Sequence, residues 1–191
     1  GTGTYAYVDP GANVGDDDIA VGVIYKPSKV EVASGTSVEV LTDSNLPSGF
    51  SGPIFNGGNA NRSPLAVTFA EAATGEQFTF VVNHLKSKGG TGTGSDADAG
   101  DGQGSFNNMR LQGAEAIAAW LDTDPTGSGD TDFLLAGDFN AYSREDPIAF
   151  LEGKYDNLIA DNLGTDAYSY VFDGQKGVLD YAFGSSTLTN Q

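Results

Sequence analysis

The sequence predicts an α/β domain, with strands forming the interior and a few helices packed outside them. Three observations point there. Two short apolar, β-prone runs, Phe78-Thr79-Phe80-Val81-Val82 and Phe133-Leu134-Leu135-Ala136, each break off into a polar cluster, as strands do at their ends. Residues 106–121 set Met109, Ala116, Ile117, Trp120 and Leu121 at largely helical spacing. A length of 191 residues with 39% hydrophobic content, undivided by any Pro/Ser-rich linker, suffices for one sizeable core. One domain spanning residues 1–191 is expected.

Residues 18–26 and 29–40 read as two strands broken at Pro27, with Ile19, Val21, Val23 and Tyr25 alternating against small or polar neighbours, and a hairpin between them is expected. Residues 42–61, rich in Ser, Gly, Asn and Pro, read as a long surface loop. A second strand pair, 65–70 and 76–83, turns at Ala73-Thr74-Gly75, so a meander-like sheet is building. Residues 89–104 hold seven glycines together with Asp96, Asp98 and Asp101, too much glycine for a helix and too much charge for a core. This loop is expected to be mobile unless a metal orders it, and it lacks the final Glu of a calcium-binding helix-loop-helix. The helix over 106–121 stops before Pro125 and Gly127-Ser128-Gly129. A buried strand over 131–136, a short helix over 145–151 with Pro147 in its first turn, and a late strand over 178–183 complete the pattern.

Nine Lys and Arg against 26 Asp and Glu leave a net charge of −17, which opposes a polyanionic partner over most of the surface. Three of those few cations, Lys86, Lys88 and Arg144, fall in or beside the polar clusters, which would make a local positive site on an acidic body. Salt and divalent cations would screen the rest, so the acidity fits a saline habitat. No apolar run is long enough to span a membrane, and Gly1-Thr2-Gly3-Thr4 is not a signal peptide. With no cysteine, no disulfide can form and the redox compartment stays open.

The two polar clusters carry groups suited to phosphate chemistry. Asn83-His84-Leu85-Lys86-Ser87-Lys88 supplies the sole histidine, a proton carrier near neutrality, and two cationic phosphate contacts. Gly137-Asp138-Phe139-Asn140-Ala141 supplies a hard carboxylate for a divalent cation and an amide that can bond a phosphate or water, although Gly, Asp and Asn also form ordinary turns. Asp180 interrupts an apolar strand, where an unpaired carboxylate is costly and needs a partner.

Those two motifs, their order, and the later Gly177-Val178-Leu179-Asp180-Tyr181-Ala182-Phe183 resemble the endonuclease/exonuclease/phosphatase superfamily with the deoxyribonuclease-I-like fold, most closely its bacterial secreted nuclease branch. Asp18-Ile19-Ala20-Val21-Gly22-Val23-Ile24-Tyr25-Lys26-Pro27, Asn61-Arg62-Ser63-Pro64-Leu65-Ala66, Gly100-Asp101-Gly102-Gln103-Gly104 and Tyr168-Ser169-Tyr170-Val171-Phe172-Asp173-Gly174-Gln175 extend the similarity over nearly the whole chain. The resemblance implies a four-layer α-β-β-α sandwich, incomplete at both ends, and hydrolysis of nucleic-acid phosphodiesters, DNA foremost, with Mg²⁺, Mn²⁺ or Ca²⁺. It further implies His84, Asp138, Asn140 and Asp180 as catalytic residues, Asp138 as a metal or nucleophilic-water ligand, and Arg62, Asn83, Lys86 and Lys88 as phosphate contacts. An extracellular or cell-surface location follows from the branch.

The chain departs from the family pattern in three places. Ser105 stands where secreted relatives carry a Cys after the Gly-Asp-Gly-Gln-Gly loop; no second histidine is present for Asp180 to orient; and the first glutamate, Glu31, cannot be matched to the metal-holding Glu that precedes the opening hairpin. The expectation is therefore an internal piece of a longer nuclease with little activity alone. A phosphatase or phospholipid phosphodiesterase of the same superfamily, or a non-catalytic, calcium-stabilised module of a larger surface protein, are the alternatives.

Overall fold

The computed structural model describes residues 4–11, 13–15 and 17–191; of the opening tetrapeptide, Gly1, Thr2 and Gly3 lie outside them. The elements run β1 (Ala6–Tyr7), β2 (Ile24–Tyr25), β3 (Val30–Val32), β4 (Glu39–Val40), β5 (Leu65–Glu71), β6 (Gln77–His84), α1 (Asn107–Leu121), β7 (Phe133–Asp138), α2 (Asp146–Glu152), β8 (Asp156–Asn157), α3 (Leu158–Leu163), β9 (Tyr170–Phe172), β10 (Gln175–Gly177), β11 (Asp180–Gly184) and α4 (Ser186–Thr189). Seven strands form one sheet in the order β3-β5-β6-β7-β11-β8, with β4 also on β5. Its centre is β6, antiparallel to β5 and parallel to β7, and β7 is in turn antiparallel to β11. The β6-to-β7 connection is a crossover through α1, as parallel neighbours require.

Alternation along the strands sorts side chains onto two faces. On one face Ala66, Val81, Leu135, Tyr181 and Phe183 pack with Ala114, Ile117, Trp120 and Leu121 of α1 and with Ile148 and Leu151 of α2. Phe139 joins this core, edge-on to Tyr181 and Phe183 with ring centroids 6.0 and 5.4 Å away. On the other face Leu65, Val67 and Phe69 meet Val8 and Val23, so the small β1–β2 sheet covers the β5 side of the large one. Helices on one face and a second sheet on the other give the α/β layering expected, built here from the large sheet and the small β1–β2 sheet, while β9 and β10 pair with each other as a separate two-stranded hairpin.

The hairpin expected over 18–40 does not form. Ile24–Tyr25 pairs with Ala6–Tyr7, and Val30–Val32 pairs with Phe69–Glu71, so the break at Pro27 sends the chain from one sheet to the other. The apolar alternation of Val21, Val23 and Tyr25 was a true burial signal, but its hydrogen-bonding partner lies elsewhere in the chain. The glycine-rich stretch 89–104 is tied down by protein groups. Asp96 Oδ1 accepts the Met109 amide at 2.8 Å in the first turn of α1, where a carboxylate suits the unpaired N–H groups and the helix dipole. Gln103 bridges to Asp146 of α2, donating to its carboxylate at 3.0 Å and accepting its amide at 2.8 Å.

Candidate active site

Parallel pairing of β6 with β7 sets His84 opposite Asp138, and antiparallel pairing of β7 with β11 sets Asp138 opposite Asp180. Three residues far apart in sequence thereby meet at one end of three adjacent strands, where open α/β sheets gather their ligands. Gly137 permits the bend that follows. Its φ is 142°, and a Cβ there would run into the Asn83 backbone. The loop is then fixed by Asp138 Oδ1 accepting the Asn140 amide at 2.8 Å and by Asn140 Nδ2 donating to the Leu85 carbonyl at 3.0 Å. Asn140 holds a left-handed φ of 50°, which asparagine tolerates better than most residues.

Arg62 enters from the turn before β5, its amide bonded to the His84 carbonyl at 3.0 Å. Its Nε lies 3.3 Å from Asp17 Oδ2, while Nη1 is buried without a protein hydrogen-bond partner. A guanidinium held with a donor unspent beside His84 is placed to receive an anion. Burial, then the Arg62 charge, lowers the His84 pKa, so the imidazole is neutral at pH 7. Its Nε2 stands 3.9 Å from Asp138 Oδ2, and with the ring neutral this contact is no ion pair. Such a histidine serves better as a hydrogen-bond donor to a phosphate oxygen than as a proton donor. Burial raises the Asp138 pKa, against the Asn140 N–H that favours its ionised form, and the Asp180 charge raises it further.

The remaining expected residues separate into three groups. Asp180 is exposed rather than enclosed: it is the first residue of β11, and the strand end opens to solvent, so its carboxylate is not the buried orphan that the surrounding apolar letters suggested. Its backbone amide is bonded to Ser169 Oγ at 3.0 Å. Asn83 points away from His84, as adjacent strand residues must, and is only 2% exposed; its Nδ2 donates to the Val81 and Ala136 carbonyls at 2.9 and 3.4 Å. The structure thus gives Asn83 a bracing position between β6 and β7. Lys86 is buried with its ammonium 4.4 Å over the Phe106 ring, and burial lowers its pKa. Lys88 is committed to Glu145, 2.5 Å away, and to the Gln103 carbonyl at 2.6 Å.

Sequence reasoning passed over the supports of this site. Arg110, fully buried in α1, donates to the carbonyls of Lys86, Ser105 and Gln103 and lies 3.7 Å from Glu145. Asn61 Oδ1 accepts the Lys86 amide at 2.9 Å while its Nδ2 binds Ile54 and Met109 carbonyls. These two side chains hold the segment that carries His84. A signal for Arg110 existed, because it falls on the stripe of residues 110, 114, 117 and 121 that faces the core, where a cation needs a purpose.

Among the described residues no three carboxylate, imidazole or thiol groups converge tightly enough to cage a metal ion. The cross-strand carboxylates Asp138 and Asp180 nevertheless fit Mg²⁺ in its usual mode, held by one or two carboxylates with water and substrate phosphate completing the shell. They do not form the many-oxygen nest that Ca²⁺ prefers.

By sequence, neither a family model nor a curated protein matches the chain. Solved structures do match in fold. An endonuclease/exonuclease/phosphatase family protein from Bacteroides thetaiotaomicron superposes with a TM-score of 0.59 at 18% identity, over 96% of this chain and 62% of that one. A mannosyl-6-phosphatase of the same organism gives 0.59 at 16%, over 96% and 64%. TDP2 from D. rerio, complexed with a single-stranded DNA product, gives 0.58 at 13%, over 96% and 62%. The fold is therefore that of the endonuclease/exonuclease/phosphatase proteins, and the chain spans less than two thirds of the length of these matches.

Proposed function

We propose, from this shared fold and the strand-end constellation, that the protein hydrolyses phosphodiester bonds of nucleic acid with the help of a divalent cation, Mg²⁺, Mn²⁺ or Ca²⁺, of which Mg²⁺ suits the donors best. The observation that carries the reading is the meeting of His84, Asp138 and Asp180 beside the partly unpaired, half-buried guanidinium of Arg62. A phosphate seated there would take hydrogen bonds from the Arg62 guanidinium and from neutral His84. The water oxygen forms its bond to phosphorus as the bond to the leaving ribose oxygen breaks. The water proton passes to bulk water, and the leaving oxygen is protonated from solvent. Asp138 and Asp180 would hold the cation, which supplies neutralisation of the charge that builds on the phosphate oxygens. Asn140 and Asn83 act by holding the loops in register.

From the resemblance to the secreted branch we also propose an extracellular or cell-surface setting, where salt and divalent ions would screen repulsion between the net charge of −17 and the substrate. The test is hydrolysis of plasmid DNA, a single-stranded oligonucleotide and a phosphomonoester, with and without EDTA, by the 191-residue chain and its His84→Ala and Asp138→Asn variants. Slow diester cleavage, as expected of a piece with little activity alone, lost with EDTA and in both variants, is the expected result. Turnover of the monoester alone would move the protein to the phosphatases, and a folded chain inert toward every substrate would refute hydrolysis.

A further inference from the structure

The β9–β10 hairpin stands immediately before Asp180 in the chain. Of the large hydrophobic side chains exposed among the described residues, Tyr168, Tyr170, Val171 and Phe172 fall within this one short stretch, and Phe172 is 65% exposed. The pairing of Tyr170 with Gly177 and of Phe172 with Gln175 puts both rings on one face of the hairpin, stacked with centroids 6.5 Å apart and planes 14° from parallel. Lys176 lies 4.2 Å over the Tyr168 ring. Apolar surface of this kind, rimmed by polar groups, marks a contact site.

A cleft of about 400 Å³ opens between the hairpin and Tyr142, lined by Ser143, Phe172, Asp173, Gln175 and Lys176; its size is that of a small-ligand site. Both walls are anchored. The Tyr142 ring lies directly on Gly177, where no Cβ could stand, and the hairpin is fastened by Ser169 Oγ, which accepts the Leu179 and Asp180 amides at 2.9 and 3.0 Å. Tyr142 follows Asn140 by two residues and the hairpin leads into Asp180, so the walls continue the two strand ends that bear Asp138 and Asp180.

We infer that this cleft receives an unpaired nucleobase of the substrate strand, stacked on Phe172, with the adjoining phosphate at the His84, Asp138 and Asp180 end. The inference rests on the phosphodiesterase reading and adds to it a preference for single strands. A flat base has a π-face for Phe172 and polar edges for Ser143, Asp173 and Gln175. A paired base in a duplex must first leave its stack, at a cost of a few kcal/mol.

The test measures anisotropy of a fluorescein-labelled single-stranded oligonucleotide bound to the Asp138→Asn chain, which prevents turnover. The probes are the same oligonucleotide with abasic residues and the corresponding duplex, and the variants are Phe172→Ala and Phe172→Leu. Base–aromatic stacking is worth about 1–3 kcal/mol, or roughly 5- to 150-fold in affinity. Losses of that size are expected for the abasic strand and for both variants, together with weaker binding of the duplex. Phe172→Ala in the otherwise native chain should slow hydrolysis of the oligonucleotide more than that of methyl p-nitrophenyl phosphate, a diester without a base. Equal affinity for base-bearing and abasic strands overturns the inference, as does self-association that Phe172→Ala abolishes while base discrimination persists. If no diester is hydrolysed yet binding remains base-dependent, the hydrolytic reading falls and the cleft stands. If the base-free diester is hydrolysed without base discrimination, the cleft falls alone.

Discussion

Asp138 shows how the demands of a site oppose those of stability at a single residue. Its carboxylate is partly desolvated and faces Asp180 across the ladder, where like charges destabilise. A carboxyl whose folded pKa is raised stays protonated in the native chain at pH values where the unfolded chain has already lost its proton. Stability therefore falls as pH rises through that window, and the full cost is present at pH 7. Asp138→Asn should melt above the native chain at pH 7, the difference shrinking as pH is lowered to the ordinary carboxylate range, while hydrolysis drops on the order of 10⁴-fold. Melts across pH with matched rate measurements check it, and a less stable variant at pH 7 contradicts it. For His84 the sign is opposite. Its lowered pKa means that the unfolded chain takes up a proton first, so stability is lost as pH falls below about 6.5. His84→Ala should flatten that part of the stability profile.

At the scale of elements, the loop 89–104, α1 and α2 are joined by one buried charge cluster. Glu145, 4% exposed, meets Lys88 at 2.5 Å and Arg110 at 3.7 Å, and Arg110 in turn binds carbonyls on either side of the loop. Removing one partner of such a cluster leaves uncompensated charge in a dry place. Glu145→Ala should cost about 3–5 kcal/mol in urea unfolding and open residues 89–104 to protease. A loss below about 1 kcal/mol would mean that Lys88 and Arg110 find other acceptors. Because Arg110 also holds the Lys86 carbonyl, the same variant should lower turnover without touching substrate.

The whole molecule carries 26 acidic against nine basic side chains, and the cations nearest the site are largely spent on internal partners. Self-repulsion of this kind acts over the Debye length, about 10 Å in 0.1 M salt and about 3 Å in 1 M. Raising NaCl over that range should raise the melting temperature by about 2–4 °C for each kcal/mol of repulsion relieved, as scanning calorimetry would read. A melting temperature that falls with salt would show that ion pairs such as Lys88 with Glu145 outweigh the net charge.

The runs ending at His84 and Asp138 determined by themselves the central strands, the helix between them and the polar ends that hold the candidate site, because burial writes a period of its own into local sequence. The boundaries fell within a few residues: 106–121 for a helix over Asn107–Leu121, 145–151 for one over Asp146–Glu152. Strand partnership is another matter, since an alternating run says which face is buried and not which strand it meets. Only the tertiary structure could send Val30–Val32 to β5 and Ile24–Tyr25 to β1. Pairing also decided the site, setting Asp138 between His84 and Asp180, turning Asn83 to the far face and spending Lys88 on Glu145. Asp180 stands among apolar letters and yet is exposed, because the position of a strand end in the sheet, and not the composition of its neighbours, sets how much water reaches it.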